Sequence, residues 1–373
     1  MYQLRRDKLK KLLIHGCKKD NAMEYYDIVL IDSPENLYYY TGFTGGEALL
    51  IMSVSNEKLF IITDSRYYEQ VQMECPDITL IRLEGRTYTE TVKELLSDEL
   101  FGDYSTGLNN IAIEETMNLS RYMKLRDTLK SFNLIIAGNL INEPRMVKDD
   151  DELKLLRRAE QIGDEAFSHI LTILKPGITE SEISLELEFF MKRQGASKLS
   201  FDTIVASGPN SSMPHAQVTD RVIQNGDFVT MDFGCVYKGY CSDMTRTVAI
   251  GEPTDEMKKV YQVVLDANLR AMDGIRSGVI CSDIDSLARD YIKEHGYGEY
   301  FGHGLGHGVG LYIHEEPRFS PKCHVVTKEN MTITDEPGIY LPGRFGVRIE
   351  DLVLVKKDGC EKLSKSPKEL III

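Results

Sequence analysis

The chain has 373 residues, 27% of them charged, and a formal net charge of −14 at pH 7. This length favours two domains, and the acidic balance without a basic stripe excludes a general nucleic-acid binder. No run approaches the ~20 apolar residues of a membrane span. The seven scattered cysteines and the charged, helix-like start MYQLRRDKLKKLL lead us to expect reduced thiols and a cytoplasmic location.

Residues 1–142 predict an α/β domain. Short β-branched runs predict strands, and helix-like stretches lie near 65–74 and 89–100. The runs are YYDIVLID, ALLIMSV, KLFIIT and ITLIRL. The turn GFTGGEAL lacks the Gly-Lys-Ser/Thr of a phosphate loop. Residues 139–151 are typical of a linker that opens a helix.

Residues 143–373 predict an α+β domain built by duplication. Amphipathic periodicity predicts helices at 151–174, at 180–194, from Met257 to about 277, and from 282 to about 295. Thr179 and Glu182 predict a capping box for the second of these helices. The segments LKPGITESEI (174–183) and IRSGVICSDI (275–284) align without a gap, and each precedes a β-hairpin that carries two acids. This parallel order indicates two similar helical-hairpin halves.

Each predicted β-hairpin brings two carboxylates together. Asp232 and Asp243 flank a turn near residues 238–239, and Glu336 and Glu350 flank a turn near 342–343. Because side chains alternate between the faces of a strand, the two acids of a pair can bind one ion. A single such acid is usually solvated, but four in apolar strands would repel one another without a cation.

The donor set indicates the class of metal. Four carboxylates with the imidazole of His307, and no cysteine ligand, favour Mn(II), Co(II), Fe(II) or Zn(II) over Ca(II). Two metals about 3.5–4 Å apart fit two carboxylate pairs and one histidine. His215, His303 and His314 are candidates for hydrogen-bonding or polarising groups beside the metals.

The sequence resembles the pita-bread metallopeptidases, and among them the aminopeptidase P and prolidase branch, which cleaves Xaa-Pro bonds. The blocks that carry this resemblance are SFDTIVASGPNSSMPHA, VTMDFGCVYKGYCSDMTRT, GHGLGHGVGLYIHEEP, TDEPGIYLPG and GVRIED. YYYTGFTGGEALLIM and ITDSRYYEQ are similar to the creatinase-like N-terminal domain of that branch, so the resemblance covers the whole chain. It implies a creatinase-like α/β domain at 1–142, a pita-bread catalytic domain at 143–373, and a homodimer.

The resemblance also implies the roles of the site residues. The resemblance implies two divalent metals, with Mn(II) as the first candidate and Co(II), Zn(II) or Fe(II) as alternatives. Their ligands would be Asp232, Asp243, His307, Glu336 and Glu350. Glu336 would also move the proton of the attacking water, while His215, His303 and His314 would be the active-site histidines. Arg348 would support the ligands and Tyr340 would line the cleft. The chain has no tryptophan, so any tryptophan that shapes the cleft in the family is replaced here.

The resemblance predicts an aminopeptidase P-like enzyme that removes the residue preceding proline. The alternatives are a prolidase acting on Xaa-Pro dipeptides and, in another class, a non-catalytic peptide-binding module on the same fold. Methionine aminopeptidases typically lack the N-terminal domain, and creatinase-type hydrolases lack this ligand set. A dipeptidase needs a cation for the proline carboxylate. Arg348 is better explained as a ligand support and Arg344 as a solvated hairpin tip, which favours peptides longer than two residues.

Overall fold

The computed structural model describes residues 1–15, 17–19, 22–97 and 109–373, without the side chains of 17–19 and 22–24. The chain divides into two compact units, Met1–Arg145 and Met146–Ile373. Within the described residues, no helix has the length and apolar character that crossing a membrane requires.

The first unit is an α/β domain. Its elements are α1 (Tyr2–His15), β1 (Cys17–Lys19), β2 (Ala22–Glu24), β3 (Ile28–Ile31), α2 (Pro34–Thr41), β4 (Leu49–Ser53), β5 (Leu59–Thr63), α3 (Tyr68–Glu74), β6 (Thr79–Arg82), α4 (Tyr88–Ser97), β7 (Asn109–Ile113), α5 (Leu119–Thr128) and β8 (Phe132–Ile136). A six-stranded mixed sheet of the order β6-β5-β4-β3-β7-β8 forms its centre. The fully buried β3 and β4 lie in the middle of this sheet, as their unbroken apolar sequences require.

The α/β class and the predicted strands are confirmed, but α2 was not predicted. Its start signal is local: the Ser33 side chain accepts a hydrogen bond from the Asn36 backbone N–H, and Pro34 takes the first helical position. Gly42, at φ 84°, ends this helix. The predicted end of α4 near residue 100 lies outside the described residues.

The second unit repeats one motif, two helices followed by a β-hairpin. Its elements are α7 (Asp150–Ile170), α8 (Glu180–Arg193), β9 (Lys198–Leu199), β10 (Ile204–Ser207), β11 (Phe228–Phe233), β12 (Cys235–Tyr237), β13 (Tyr240–Cys241), β14 (Met244–Ala249), α9 (Asp255–Gly274), α10 (Cys281–Glu294), β15 (Gly306–Gly308), β16 (Glu315–Phe319), β17 (Thr332–Asp335), β18 (Gly338–Leu341), β19 (Phe345–Arg348), β20 (Asp351–Val355) and β21 (Cys360–Lys362). A short helix, α6 (Glu143–Met146), spans the point where the units divide.

Two sheets carry the hairpins. The first half has the sheet β10-β11-β14, and the second half has β16-β15-β17-β20-β21. In the first half, α7 and α8 bury residues such as Phe167 and Leu187 against Val229 of the sheet. In the second, α9 and α10 bury Val264 and Ile284 in the core that also contains strands β17 and β20. The helices thereby cover one face of each sheet.

The backbone supports the inferred duplication. Gly177 and Gly278, 101 residues apart, both have left-handed φ, at 95° and 90°. Each donates its N–H to a carbonyl 2.9 Å away in a returning loop, Ile223 in the first half and Thr327 in the second. These left-handed positions require glycine at equivalent points of both halves.

The helix bounds correct two details of the sequence interpretation. Helix α7 ends at Ile170, four residues before the predicted end, and a turn follows. Helix α10 begins at Cys281 with Ile280 as its N-cap, not at 282–283. The predicted capping box of Thr179 and Glu182 is confirmed at the start of α8.

Candidate metal centre and catalytic cavity

Strand register places Asp232 and Asp243 on one face. Asp232 pairs with Thr245 in the β11–β14 ladder, and Asp243 lies two residues before Thr245. Residues two apart on an extended chain point the same way, so both carboxylates lie on the same side. The strands stay close beyond this ladder because residue 234 is glycine. A Cβ there would lie 2.0 Å from the backbone oxygen of Ser242.

The second hairpin places Glu336 opposite Glu350. Asp335 pairs with Asp351 in one ladder, and Gly338 pairs with Arg348 in the next. The two glutamates occupy the matching positions between these ladders. Their backbone N–H groups donate elsewhere: that of Glu336 to Leu305 O at 2.8 Å and that of Glu350 to Thr245 O at 3.1 Å.

His307 reaches this site from β15. A Cβ at residue 306 would lie 1.9 Å from the Thr334 backbone oxygen, so only glycine allows β15 to approach β17 this closely. The Nδ1 of His307 lies 3.1 Å from Gly308 O and therefore carries the proton. This leaves the Nε2 lone pair free, 3.5 Å from both Asp243 Oδ2 and Glu336 Oε1.

All five predicted ligands line one cavity of about 880 Å³. Of the other predicted site residues, His215, His303, His314 and Arg348 also line it. Tyr340 lies behind the wall, with its hydroxyl bonded to His303 at 3.0 Å and to Arg348 at 2.8 Å. The fold thus brings together side chains from the two acid-bearing β-hairpins and the histidine-rich segment.

The electrostatics of the cavity fit a cation. Burial first, then the neighbouring carboxylates Glu350 and Asp232, raises the pKa of Asp243 well above its usual range. Burial and the charge of Glu336 do the same to Glu350, and burial raises the pKa of Glu336 to about 8. The buried Oδ1 of Asp232 has no hydrogen-bond partner among the described residues.

The geometry of the donors fits as well. Ligand atoms of Asp243, His307 and Glu350 lie within 4.8 Å of one another. Buried carboxylates that repel one another, beside a free imidazole lone pair, are the donors that a divalent transition metal takes. The residues present therefore suit the metal site that the sequence predicts.

Arg348 fixes one side of the centre. Its guanidinium donates to Asp232 Oδ2 at 2.6 Å, to Thr245 Oγ1 at 3.0 Å and to the Tyr340 hydroxyl at 2.8 Å. The Tyr340 hydroxyl then has its own proton to donate to His303 Nε2. His303 Nδ1 faces Gly304 O at 2.8 Å, so both ring nitrogens of His303 are engaged.

Three supporting residues escaped the sequence interpretation. Glu160 accepts the Asp243 N–H at 2.8 Å, Thr245 donates to Glu350 Oε2 at 2.7 Å, and Thr334 donates to Glu336 Oε1 at 3.2 Å. The two threonines carried a usable signal, because each lies two residues from an acid of a predicted pair and so shares its face. Glu160 carried none, since helix α7 meets Asp243 only in the tertiary structure.

Burial lowers the pKa of three cavity histidines, His303, His307 and His314. Burial, then the neighbouring His314, lowers the pKa of His307 to about 3, and burial with Arg348 lowers that of His303 to about 4. Burial also lowers the pKa of His314, whose ring lies 4.5 Å from that of His307. A neutral imidazole can donate one N–H to a developing negative charge.

Arg318 is a cavity residue that the sequence interpretation missed. It pairs with His307 across β15 and β16 and lines the cavity. Among the described residues its ion pair is with Glu316, at 3.8 Å, and 39% of the side chain is exposed. Its position two residues after Glu316, on the half-buried face of β16, was the available signal. Arg344, by contrast, lies near the hairpin tip and pairs with Glu256.

Comparison with known proteins agrees with this geometry. Residues 154–357 match metallopeptidase family M24, and residues 17–147 match the creatinase/prolidase N-terminal domain. The chain belongs to metallopeptidase family M24. It is therefore a hydrolase with the creatinase-type N-terminal domain and the pita-bread catalytic domain, and the family implies divalent metal ions.

Relatives in this M24 family include proteins named for Xaa-Pro bonds. The "Xaa-Pro dipeptidase" of Pyrococcus furiosus is 36% identical over 349 residues, which is 92% of this chain and 95% of the relative. The solved "Xaa-Pro dipeptidase" of Bacillus anthracis is 40% identical with a TM-score of 0.92, and each chain is covered completely. The "X-Pro aminopeptidase" structure of Thermotoga maritima is 38% identical with a TM-score of 0.84, covering 93% of this chain and 98% of that one.

Proposed function

We propose that this M24 metallopeptidase hydrolyses the bond preceding proline and acts chiefly on Xaa-Pro dipeptides. The sequence alone favoured longer peptides because no arginine was committed to a substrate carboxylate. Arg318 changes that preference, since it lies in the cavity beside His307 with one distant ion pair among the described residues. A guanidinium so placed suits the carboxylate of a terminal proline.

The metal ligands of this proposal are Asp232, Asp243, His307, Glu336 and Glu350. Divalent cations bound there, with Mn(II) as the first candidate, would supply Lewis acidity and lower the pKa of water towards neutrality. Four carboxylates and one imidazole are donors that such cations accept. The proposed domain boundary is at residues 142/143, close to the division between the two compact units at Arg145 and Met146.

Glu336 is the proposed proton carrier. It accepts a proton from the attacking water as the water oxygen bonds to the scissile carbonyl carbon. It then delivers that proton to the proline nitrogen as the C–N bond breaks. The Thr334 hydroxyl, which donates to Glu336 Oε1, holds the carboxylate in place.

The histidines and Tyr340 orient the reaction. His314 has a pKa lowered by burial and donates an N–H to the oxyanion. His215 lines the cavity and positions the peptide. His303 and Tyr340 act through Arg348, because their polar atoms are bonded to one another or to the backbone.

Proline explains why such an enzyme is needed. The proline nitrogen in a peptide bond has no N–H, and X–Pro bonds populate the cis form measurably. Peptidases that hold a substrate through that N–H therefore fail at this bond. A site that binds the two ends of a dipeptide does not need a hydrogen bond to that N–H.

Metal dependence is the first test. Chelation is expected to abolish turnover of an Xaa-Pro substrate, and Mn(II), Co(II) or Zn(II) to restore it. Elemental analysis before and after must accompany the assay. Full activity in a verified metal-free preparation contradicts the proposal, and binding of substrate without turnover by the loaded protein would favour a non-catalytic peptide-binding module.

Substrate length is the second test. We expect Xaa-Pro dipeptides to be cleaved faster than Xaa-Pro-Yaa tripeptides, and Arg318→Gln to raise KM for the dipeptide while sparing the tripeptide. Arg344→Gln is the matched control, because it removes the same charge at a distant surface pair. Equal turnover when alanine replaces proline would refute the Xaa-Pro assignment.

An aminopeptidase acting on longer peptides is the second candidate. The cavity volume of about 880 Å³ and the similarity to the Thermotoga maritima protein support it. Faster cleavage of tripeptides than of dipeptides, unaffected by Arg318→Gln, would favour it.

We further propose a cytoplasmic homodimer, for which sedimentation velocity tests the oligomeric state.

A further inference from the structure

Charges of both signs line the cavity besides the ligand set. They belong to Glu188 of α8, to Asp202, which precedes β10, and to Arg318 of β16. Strand register gives the order of these charges. Asp202 lies two residues before Ile204, which pairs with Asp232, whereas Arg318 pairs with His307. The acidic wall thus adjoins the Asp232 side of the centre, and the basic wall adjoins the His307 side.

Neither wall carboxylate has a neutralising partner within the part of the chain that the structure describes. The Glu188 carboxylate accepts a hydrogen bond from Ser184 Oγ at 3.2 Å, and neither acid forms an ion pair with a described residue. Two divalent cations would neutralise the four ligating carboxylates, and Arg348 already faces Asp232. Glu188 and Asp202 are therefore left as excess negative charge facing the cavity.

Apolar groups line the same wall. Leu199, Phe201 and Val218 are partly buried and line the cavity, and Leu199 and Phe201 lie within three residues of Asp202 in the sequence. An apolar surface with carboxylates beside it is complementary to a long side chain with an aliphatic stem and a cationic head. It is unfavourable for an acidic side chain, whose charge would be repelled.

We propose that this wall, with Glu188 and Asp202 as its specificity-determining residues, binds the side chain of the residue before proline and selects a cationic one. The inference rests on the proposed Xaa-Pro hydrolysis and names its substrate class. With the proline carboxylate at Arg318, the Xaa side chain points to the opposite, acidic wall. Lys-Pro and Arg-Pro are then preferred over neutral substrates, and Glu-Pro is disfavoured.

The test compares three dipeptides with the manganese-loaded enzyme: Lys-Pro, norleucyl-proline and Glu-Pro. Norleucine has a similar stem to lysine but no charge, so the ratio of kcat/KM isolates the head group. We expect Lys-Pro to exceed norleucyl-proline by on the order of tenfold at low salt, and the preference to shrink at high salt. The Glu188→Gln, Asp202→Asn double variant should bring the ratio close to one.

Glu186→Gln is the matched control. It removes the same charge from the same helix, but Glu186 faces His169 at 2.7 Å rather than the cavity, so the ratio should not change. Glu188→Lys should reverse the order of Lys-Pro and Glu-Pro. Both targets lie at partly or fully exposed positions, so folding is not expected to limit these variants.

Three results would overturn the inference: no preference in the unchanged enzyme, a ratio unaffected by the double variant, or an equal loss for every dipeptide. The last would mean that the wall binds the α-ammonium group common to all three. Failure to cleave any Xaa-Pro dipeptide is a different outcome, because it refutes the proposed function itself.

Discussion

At the scale of single residues, Arg348 links several groups of the metal centre. Its side chain is 4% exposed and bonds Asp232, Thr245 and Tyr340 at once. Removing one member of a buried ion pair leaves the other charge uncompensated. The resulting loss in the free energy of unfolding is larger than the net contribution of the intact pair.

We predict that Arg348→Met destabilises the metal-free protein by about 3–5 kcal/mol in urea denaturation. The loss should be smaller with Mn(II), because a bound cation compensates Asp232. Arg344→Met, at the exposed pair with Glu256, should cost less than about 1 kcal/mol. Equal costs for the two variants would show that the buried pair has no special role.

His314 is the residue whose substitution should separate catalysis from metal binding. We predict that His314→Ala lowers kcat by on the order of 10²-fold with metal content retained, because a donor to the oxyanion is lost. His295→Ala, an exposed position at the end of α10, is the control and should leave kcat unchanged. Loss of metal instead would make His314 a ligand and the assignment of His307 wrong.

At the scale of elements, the two halves differ in how their second helix begins. Thr179 caps α8 with a full capping box, whereas Ile280, its equivalent, caps α10 without a side-chain hydrogen bond. Ile280 has extended backbone, at φ −74° and ψ 134°, which a capping threonine also adopts.

We therefore predict opposite effects at equivalent positions. Thr179→Ala should destabilise the protein by about 1 kcal/mol, and Ile280→Thr should stabilise it by up to about 1 kcal/mol. Thermal and urea unfolding measure both changes. A destabilised Ile280→Thr variant would show that the isoleucine, although 37% exposed, contributes more through packing than the new cap returns.

At the scale of the whole molecule, metal binding and folding are coupled. In the metal-free protein the pKa values of Asp243, Glu336 and Glu350 are raised by burial and mutual repulsion, that of Glu336 to about 8. The folded state then binds more protons than the unfolded state, so its stability falls as pH rises through these values. The pKa values of His303 and His307 are lowered in the folded state, so below the usual histidine pKa of 6.5 the unfolded state binds more protons at these two groups. Their contribution to stability therefore rises with pH, but only below about pH 6.5.

We predict that the free energy of unfolding of metal-free protein decreases between about pH 6.5 and about pH 8. Protein loaded with Mn(II) should show no such decrease, because deprotonated carboxylates bind the cation better. Urea denaturation at several pH values, with chelator or with metal, measures both curves. A metal-free protein that gains stability over this range would contradict the raised carboxyl pKa values.

The sequence by itself determined the features that depend on neighbours along the chain. The α/β and α+β classes, the capping box at Thr179 and the duplication were readable because periodicity, caps and turn glycines act over a few residues. The gathering of the acids into one cavity was also foreseen, because a hairpin turn fixes which residues face each other.

Only the tertiary structure decided what crosses between elements. Glu160 reaches Asp243 from a helix 83 residues away in sequence, and Arg318 enters the cavity because β16 pairs with β15. Glu188 and Asp202 share a wall for the same kind of reason. Such contacts follow from strand order and helix packing, which depend on the whole core at once, and no local pattern in the sequence encodes them.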